Sequence, residues 1–438
     1  MEAYLLDWAN LLLRWAHVIV AIAWIGSSFY FVFLDNSLTR PEAPDLKAKG
    51  VDGELWAVHG GGFYHPQKYM VAPKQLPPNL HWFYWESYST WLTGFALFTV
   101  MYLYQAGSFL IDRRLHDWTP PAAIATALGF LAVFWLAYDM ICRTLGRRAG
   151  GDRLVGLAVT AIVVFGAWLA CQLFAGRAAF LLVGAMMATA MSANVFFWII
   201  PGQRTVLAQM KAGEPVDPVH GQRAKQRSVH NTYFTLPVLL AMLSNHYGWL
   251  YNGPHNWVTL VAVMLAGALI RHSFVARHKA LTMGKRVPWE YAITGTVVLI
   301  GVMVALKPAP LSTSGPAAAS GAAPVGPITS AAAPSAAAPS GAAHSGDASA
   351  QAAPAFSQVQ AVIEQRCVGC HNAQVATKNV ALHTPALILA QAQNIYQQTA
   401  VLKAMPMNNA TQITEDERLL VKRWFESGAP GPSPQPPR

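Results

Sequence analysis

Eight stretches of this chain are long and apolar enough to be read as membrane crossings, and no other feature restricts its fold as tightly. A helix needs roughly 20 apolar residues to span the hydrocarbon core. Runs of this kind fall near 8–34, 85–110, 119–142, 154–175, 178–200, 231–249, 255–276 and 289–307. The sixth is the shortest and contains Pro237; the first is too long for a cleavable signal peptide. Charged residues make up only 12% of the chain, about half the soluble norm of roughly 25%. Water therefore cannot be the solvent for most of the surface. Backbone groups in lipid must be satisfied within their own segment. The expected fold is all-α, a polytopic membrane helical bundle of about eight transmembrane helices over residues 1–307.

The basic residues test that count. In a soluble protein the formal charge of +10 would suggest nucleic acid. Here the positive residues fall mostly between apolar runs, and no nucleic acid is expected. With the N-terminus outside, the inner loops hold 19 Lys and Arg, Arg227 and Arg271 among them, against 4 outside (Arg113, Arg114, Arg177 and Lys307). That asymmetry is the positive-inside pattern. It predicts that both ends of the membrane domain face the periplasm.

Composition changes abruptly after the last run. Of the 46 residues in 308–353, 40 are Ala, Pro, Ser, Gly or Thr. Such a segment cannot build a core and reads as a disordered tether spanning about 40 Å as a flexible chain. Residues 354–432 return to the composition of a small soluble domain. Phe356 to Arg366 form an amphipathic stretch, and Thr414-Glu415-Asp416-Glu417 is a capping box. Leu419, Leu420, Trp424 and Phe425 follow at helical spacing, with Gly428 as the stop.

Between these helices lies Cys367-Val368-Gly369-Cys370-His371, the signature of covalent c-type haem attachment. Two thiols separated by two residues can each bond a porphyrin vinyl group, and the adjacent imidazole then faces the iron. A zinc half-site would need a second ligand pair, but residues 372–438 offer only His383 and no cysteine. One haem c is expected, with Cys367, Cys370 and His371 binding it and His371 on the iron. Methionine as sixth ligand raises the potential and suits electron acceptance. Met405 and Met407 are available, and Met405, which precedes a proline, is preferred. This arrangement resembles small class I cytochromes c. Haem c is attached outside the cytoplasmic membrane, where the charge pattern independently puts this domain. Cys142 and Cys171, isolated in apolar runs, read as small buried side chains.

Ionisable groups within a bilayer are costly, so each is a functional candidate. His17 lies near the middle of the first run and His246 near the outer end of the sixth. His81, His230 and His272 lie toward the inner ends of theirs. Paired histidines on facing helices hold b-type haems. His17 with His246, and an inner set including His230 and His272, would form an electron ladder; equally, each histidine can satisfy a neighbouring carbonyl. The surroundings of His17 resemble the first helix of the membrane protoporphyrinogen oxidase family, where that histidine is associated with haem. Arg14 is expected to snorkel outward, and Glu86, Asp139 and Glu290 to be solvated at the inner boundary. The long inner loop 35–84 contains His59-Gly60-Gly61-Gly62 and the side chains His59, His65, Lys68 and Lys74. Its glycines permit close approach to a ligand, its cations suit an anion, and its aromatics suit a flat ring. An interfacial aromatic belt around a glycine turn accounts for the same residues.

The whole chain resembles the bacterial membrane-bound, cytochrome c-fused urate oxidase (urate hydroxylase) family. The resemblance rests on RWAHVIVAIAWIGSSFYF, on LWAVHGGGFYHPQKY followed by HWFYWESYSTWLTG, and on the CVGCH domain ending in AMPMNNAT. It implies a bacterial inner-membrane oxidoreductase that converts urate to 5-hydroxyisourate without making hydrogen peroxide. Electrons would pass through the c-type haem to a respiratory acceptor, a soluble cytochrome c or a terminal oxidase. Composition and spacing alone give only a membrane redox protein. A quinol-oxidising cytochrome, or a transport module carrying a tethered electron carrier, fits them as well.

Overall fold

The computed structural model describes residues 1–69, 73, 76–112, 115–146, 151–251, 253–307, 353–373, 380–406 and 409–432. The tether 308–352 lies outside the described residues, as do Lys74 and Met407.

All eight apolar runs are helical. They correspond to α1 (Glu2–Ser37), α3 (Trp85–Phe98), α5 (Pro120–Thr144), α6 (Gly151–Leu173), α7 (Gly176–Asn194), α9 (Pro218–Leu243), α11 (Asn256–Thr282) and α12 (Glu290–Ala305). Short helices α2 (Pro44–Lys49), α4 (Ala106–Phe109), α8 (Ile200–Ala212) and α10 (Gly248–Tyr251) fill the connections. Among the described residues, five helical spans are long and apolar enough to cross a membrane: Tyr4–Ser37, Pro120–Thr144, Gly151–Leu173, Gly176–Ala212 and Asn256–Thr282. The other three differ for local reasons. α3 passes into a π-helical turn at Thr99–Leu103, α12 has only 16 residues, and the first half of α9 carries Arg223, Lys225 and Arg227.

α9 begins thirteen residues earlier than its apolar run, at 218 rather than 231. Pro218 supplies a preset φ at the first turn, and the Asp217 carboxylate accepts from the Val219 N–H at 2.9 Å. The helix continues through Pro237, which is buried. The inner segment between the fifth and sixth runs is therefore mostly helix, and only Gly213–Asp217 turns the chain. Arg227 and Arg271, expected in loops, instead lie within helices and are 3% and 8% exposed.

The centre of the bundle is α7, which packs on α5, α6 and α9. Its Ala178, Ala179, Gly184 and Ala190 let neighbouring helices approach closely, and Phe180, Leu182, Met186 and Met187 are fully enclosed. Cys142 and Cys171 are buried in this core.

Over its described residues, the long loop between α1 and α3 forms two short strand pairs. β1 (Gly53–Glu54) pairs antiparallel with β4 (Gln67–Lys68), and β2 (Ala57–His59) with β3 (Gly62–Tyr64). These are the only strands among the described residues. Gly60 and Gly61 both have positive φ, 59° and 80°, the requirement of a two-residue hairpin turn. Their conformational freedom closes the hairpin.

The C-terminal residues form a small helical unit. α13 (Phe356–Arg366), α14 (Pro385–Ala390), α15 (Ala392–Ile395) and α16 (Glu415–Glu426) surround Trp424, Ile363, Ile388 and Tyr396. α13 has the bounds expected from sequence. The capping box is present in full: Thr414 accepts from the Glu417 N–H at 3.2 Å, and Glu417 accepts from the Thr414 N–H at 2.7 Å. A π-helical turn at Tyr396–Val401 carries the contacts to the bundle. Tyr396 Oη meets Ser108 Oγ at 3.1 Å, Gln397 Nε2 donates to Ser108 O at 3.2 Å, and Arg177 Nη1 donates to Gln397 Oε1 at 3.3 Å. The unit thus touches the bundle where α4 and the start of α7 lie.

Candidate functional sites

α13 runs directly into the Cys-X-X-Cys-His segment, because the Cys367 N–H continues the helical pattern onto Ile363 O at 2.8 Å. His371 Nδ1 is 3.0 Å from Val380 O, so this nitrogen donates and Nε2 is left as the ligating atom. The Leu382 N–H donates to His371 O at 2.7 Å and fixes the backbone from the other side. Beside it, His383 keeps a buried Nδ1 with no partner among the described residues. A buried polar atom left without a protein partner fits a pocket completed by a non-protein group. Burial pushes the Cys367 thiol up to about 11, with Cys370 and Glu417 adding to the effect.

Met405 is held by its backbone. Its N–H donates to Gln398 O at 3.0 Å, and the buried Arg418 donates to Met405 O at 2.9 Å. Arg366 clamps the far side through Glu417 at 3.0–3.2 Å and Thr411 O at 2.7 Å. The donor set of two thiols, an oriented imidazole and a backbone-anchored thioether suits iron porphyrin.

A second polar cluster lies within the bundle, where α5, α7 and α9 meet. Asp139, expected to be solvated, is 6% exposed. Its Oδ1 accepts from Arg227 Nη2 at 2.7 Å and from Trp198 Nε1 at 2.8 Å, and its Oδ2 from Arg143 Nε at 2.6 Å. Arg227 also donates to Asn194 Oδ1 at 3.2 Å, and Asn194 Nδ2 bridges Tyr138 Oη and Asn231 Oδ1, both at 2.9 Å. Tyr138 Oη lies 2.8 Å from His230 Nδ1. Asn194 and Trp198 are brought onto this network across the π-helical turn Val195–Ile199, a distortion often found at functional sites. The sequence did carry a signal for this cluster. Arg227, Asn231, Phe234 and Thr235 follow helical spacing on one face of α9, so Arg227 belongs with buried neighbours.

The four histidines weighed as b-haem ligands are dispersed. His17 Nδ1 meets Thr93 Oγ1 at 3.1 Å, and its ring rests on Gly94, where an added Cβ would lie 2.8 Å from Cε1. His230 and His272 bond tyrosines: His272 Nδ1 is 2.6 Å from Tyr233 Oη. His246 is exposed in the turn after α9. Among the described residues, no hydrogen bond or ring contact joins any two of the four. Each Nδ1 contact on His17, His230 and His272 leaves Nε2 for another ligand.

The inner-loop side chains mostly satisfy one another. Lys68 pairs with Asp35, and His65 Nε2 meets Glu54 Oε2 at 2.5 Å while stacking on Trp56 at 4.1 Å. The adjoining groove is lined by Glu42, Asp45 and Glu54, with Lys49 already paired to Asp45. Such a surface repels an anion. His59 lies exposed at the end of β2.

Residues 3–307 match a protein family described as Urate oxidase N-terminal. No curated protein and no solved structure matches the chain.

Proposed function

From its membership of the urate oxidase N-terminal family, we propose that this chain is a membrane-bound oxidoreductase that converts urate to 5-hydroxyisourate and delivers the electrons to the respiratory chain. The reaction balances as urate plus water giving 5-hydroxyisourate, two protons and two electrons. No dioxygen is consumed at the site and no hydrogen peroxide is formed. The family match over residues 3–307 carries the reading, because composition alone stops at a membrane redox protein.

Cys367 and Cys370 would hold a haem c by thioether bonds, with His371 and Met405 as the residues that would bind its iron. When bound, that group supplies one-electron acceptance at a raised potential. His371 is oriented by Val380 O, Met405 is braced through Arg418, and the contacts of Tyr396 and Gln397 with Ser108 and Arg177 keep this unit against the bundle. In this reading residues 1–307 form the membrane domain, 308–353 the tether, and 354–432 a periplasmic cytochrome domain. Urate gives two electrons where one haem takes one. Either the haem c turns over twice, or a further b-type haem on His17, His246, His230 or His272 takes the second electron, for which the Nε2 atoms of His17, His230 and His272 are free of the contacts made by Nδ1. Lys68 and His65 serve as structural pairs in the loop, and His59 remains open there.

The purified full chain, mixed anaerobically with urate, should show reduction of its haem c absorption band, and a His371→Ala variant should not. Reduction by a quinol but not by urate would replace this reading with a quinol-oxidising cytochrome.

A further inference from the structure

Six buried side-chain atoms lack a hydrogen-bond partner among the described residues, and two of them are Nε and Nη2 of Arg271. The residue lies inside α11 and is 8% exposed. A guanidinium withdrawn from water and lipid without a counter-ion is costly wherever it occurs. The other buried arginines of this protein have partners: Arg227 has Asp139 and Asn194, and Arg418 has Thr399 O, Met405 O and Glu415.

The geometry of the exception is informative. Nε–H and Nη2–H lie along one edge of the guanidinium plane, the fork that takes two side-by-side acceptors on a flat anion. The face of the same group is occupied, since Phe29 of α1 lies 3.7 Å beneath it. A ligand on the fork would therefore lie in the guanidinium plane beside that aromatic ring. Tyr233 of α9 and His272 of α11, bonded at 2.6 Å, stand nearby, and Tyr291 of α12 meets the His272 ring edge-on at 4.5 Å. Closer to the loops, about one turn beyond Phe29 on α1 and two turns beyond Arg271 on α11, Phe33 meets His278 at 5.0 Å. The register thus puts Arg271 at the end of the bundle where α1 leaves for the 38–84 loop.

We propose that the Nε/Nη2 edge of Arg271 is a binding site for a planar anion presenting two adjacent acceptors, and that its occupant is the urate anion. Urate carries such an edge, a ring nitrogen beside a carbonyl oxygen, and its charge replaces the missing counter-ion. The inference rests on the function proposed above and adds where that substrate is held. It also moves the anion away from the loop groove, whose lysine, Lys49, is paired with Asp45 and whose walls carry Glu42, Asp45 and Glu54. The same fork suits a carboxylate, so a haem propionate is the competing occupant.

The test uses the detergent-solubilised full chain, with radiolabelled urate in equilibrium dialysis and urate-dependent haem reduction measured alongside. Arg271→Lys keeps the charge and loses the fork. It should weaken urate binding and raise KM at least tenfold, with kcat changed far less. Arg271→Gln removes an uncompensated buried charge. Its melting temperature without urate should equal or exceed that of the unsubstituted protein, and the upward shift on adding urate should vanish. Unchanged urate affinity in both variants, in a protein that oxidises urate, overturns the site but leaves the function. Loss of non-covalent haem from the pyridine haemochrome spectrum with urate binding intact gives the site to a propionate and also overturns the inference. An unsubstituted protein that neither binds nor oxidises urate removes the function and the site together.

Discussion

The pairing of Asp139 with Arg227 should be detectable as a coupling energy far larger than any surface ion pair provides. Both side chains are withdrawn from solvent at 3% and 8% side-chain exposure. Removing one partner of a buried pair costs about 3–5 kcal/mol. For Asp139→Leu the upper half of that range applies, about 4–5 kcal/mol, because Arg227 would lose its only carboxylate and keep one hydrogen bond to Asn194 and its ring contacts with Tyr138 and Trp198. For Arg227→Met the lower end applies, about 3 kcal/mol, because Asp139 keeps the Trp198 N–H and Arg143. Arg143, at 55% exposure, supplies only about 0–1 kcal/mol of that compensation. The double variant replaces the pair by apolar groups and should be near neutral relative to the unsubstituted protein, as such replacements often are. Reversible unfolding of the solubilised chain by increasing mole fraction of sodium dodecyl sulfate measures all four members of the cycle. With single costs that together reach about 7–8 kcal/mol and a near-neutral double variant, the expected coupling is about 7 kcal/mol. Costs that add to within about 0.5 kcal/mol would show that the two charges do not depend on each other, and the buried-pair account would be wrong.

Other outcomes follow from single contacts. Replacing Cys367 and Cys370 together by serine should leave the chain unstained on a haem-stained denaturing gel, while each single variant keeps one attachment point and stains weakly. Gly94→Ala forces a Cβ against His17 and should cost about 1–3 kcal/mol through overpacking, read in the same detergent titration; an unchanged midpoint would mean the His17 ring is free to move. Thr414→Ala removes the cap of α16 and should cost about 1 kcal/mol, seen as faster amide exchange in Glu415–Arg418. Burial opposes ionisation of Glu417, but the Thr414 N–H and Arg366 outweigh it and hold the carboxyl below the usual range. Its folded pKa is depressed, so its stabilisation is complete above the unfolded carboxylate pKa and is lost as pH falls through the depressed value. Glu417→Gln should flatten the acid limb of stability for the C-terminal unit, and an unaltered limb would exclude Glu417 as its origin.

Most of the secondary structure is written in the chain. A 19-to-27-residue apolar run has few alternatives to a helix, and every run chosen on that basis is helical. Local capping chemistry was legible too: Thr414 to Glu417 starts α16, and the bounds of α13 follow from amphipathic spacing. The Cys367, Cys370 and His371 motif stands out in the sequence because the haem attachment proposed for it requires contiguity. Tertiary structure decided what the charged residues do. Arg227 and Arg271 look like loop charges when counted by sign, but extension of α9 carries Arg227 inside against Asp139, and Arg271, within the seventh run, lies buried against the face of Phe29. The three glycines after His59 could have served a ligand or a turn, and only the pairing of β2 with β3 selects the turn. Apolar runs and caps depend on neighbours within a few residues of one another. Whether a buried charge has a partner depends on groups up to 88 positions away in the chain, and only the packed bundle brings those together.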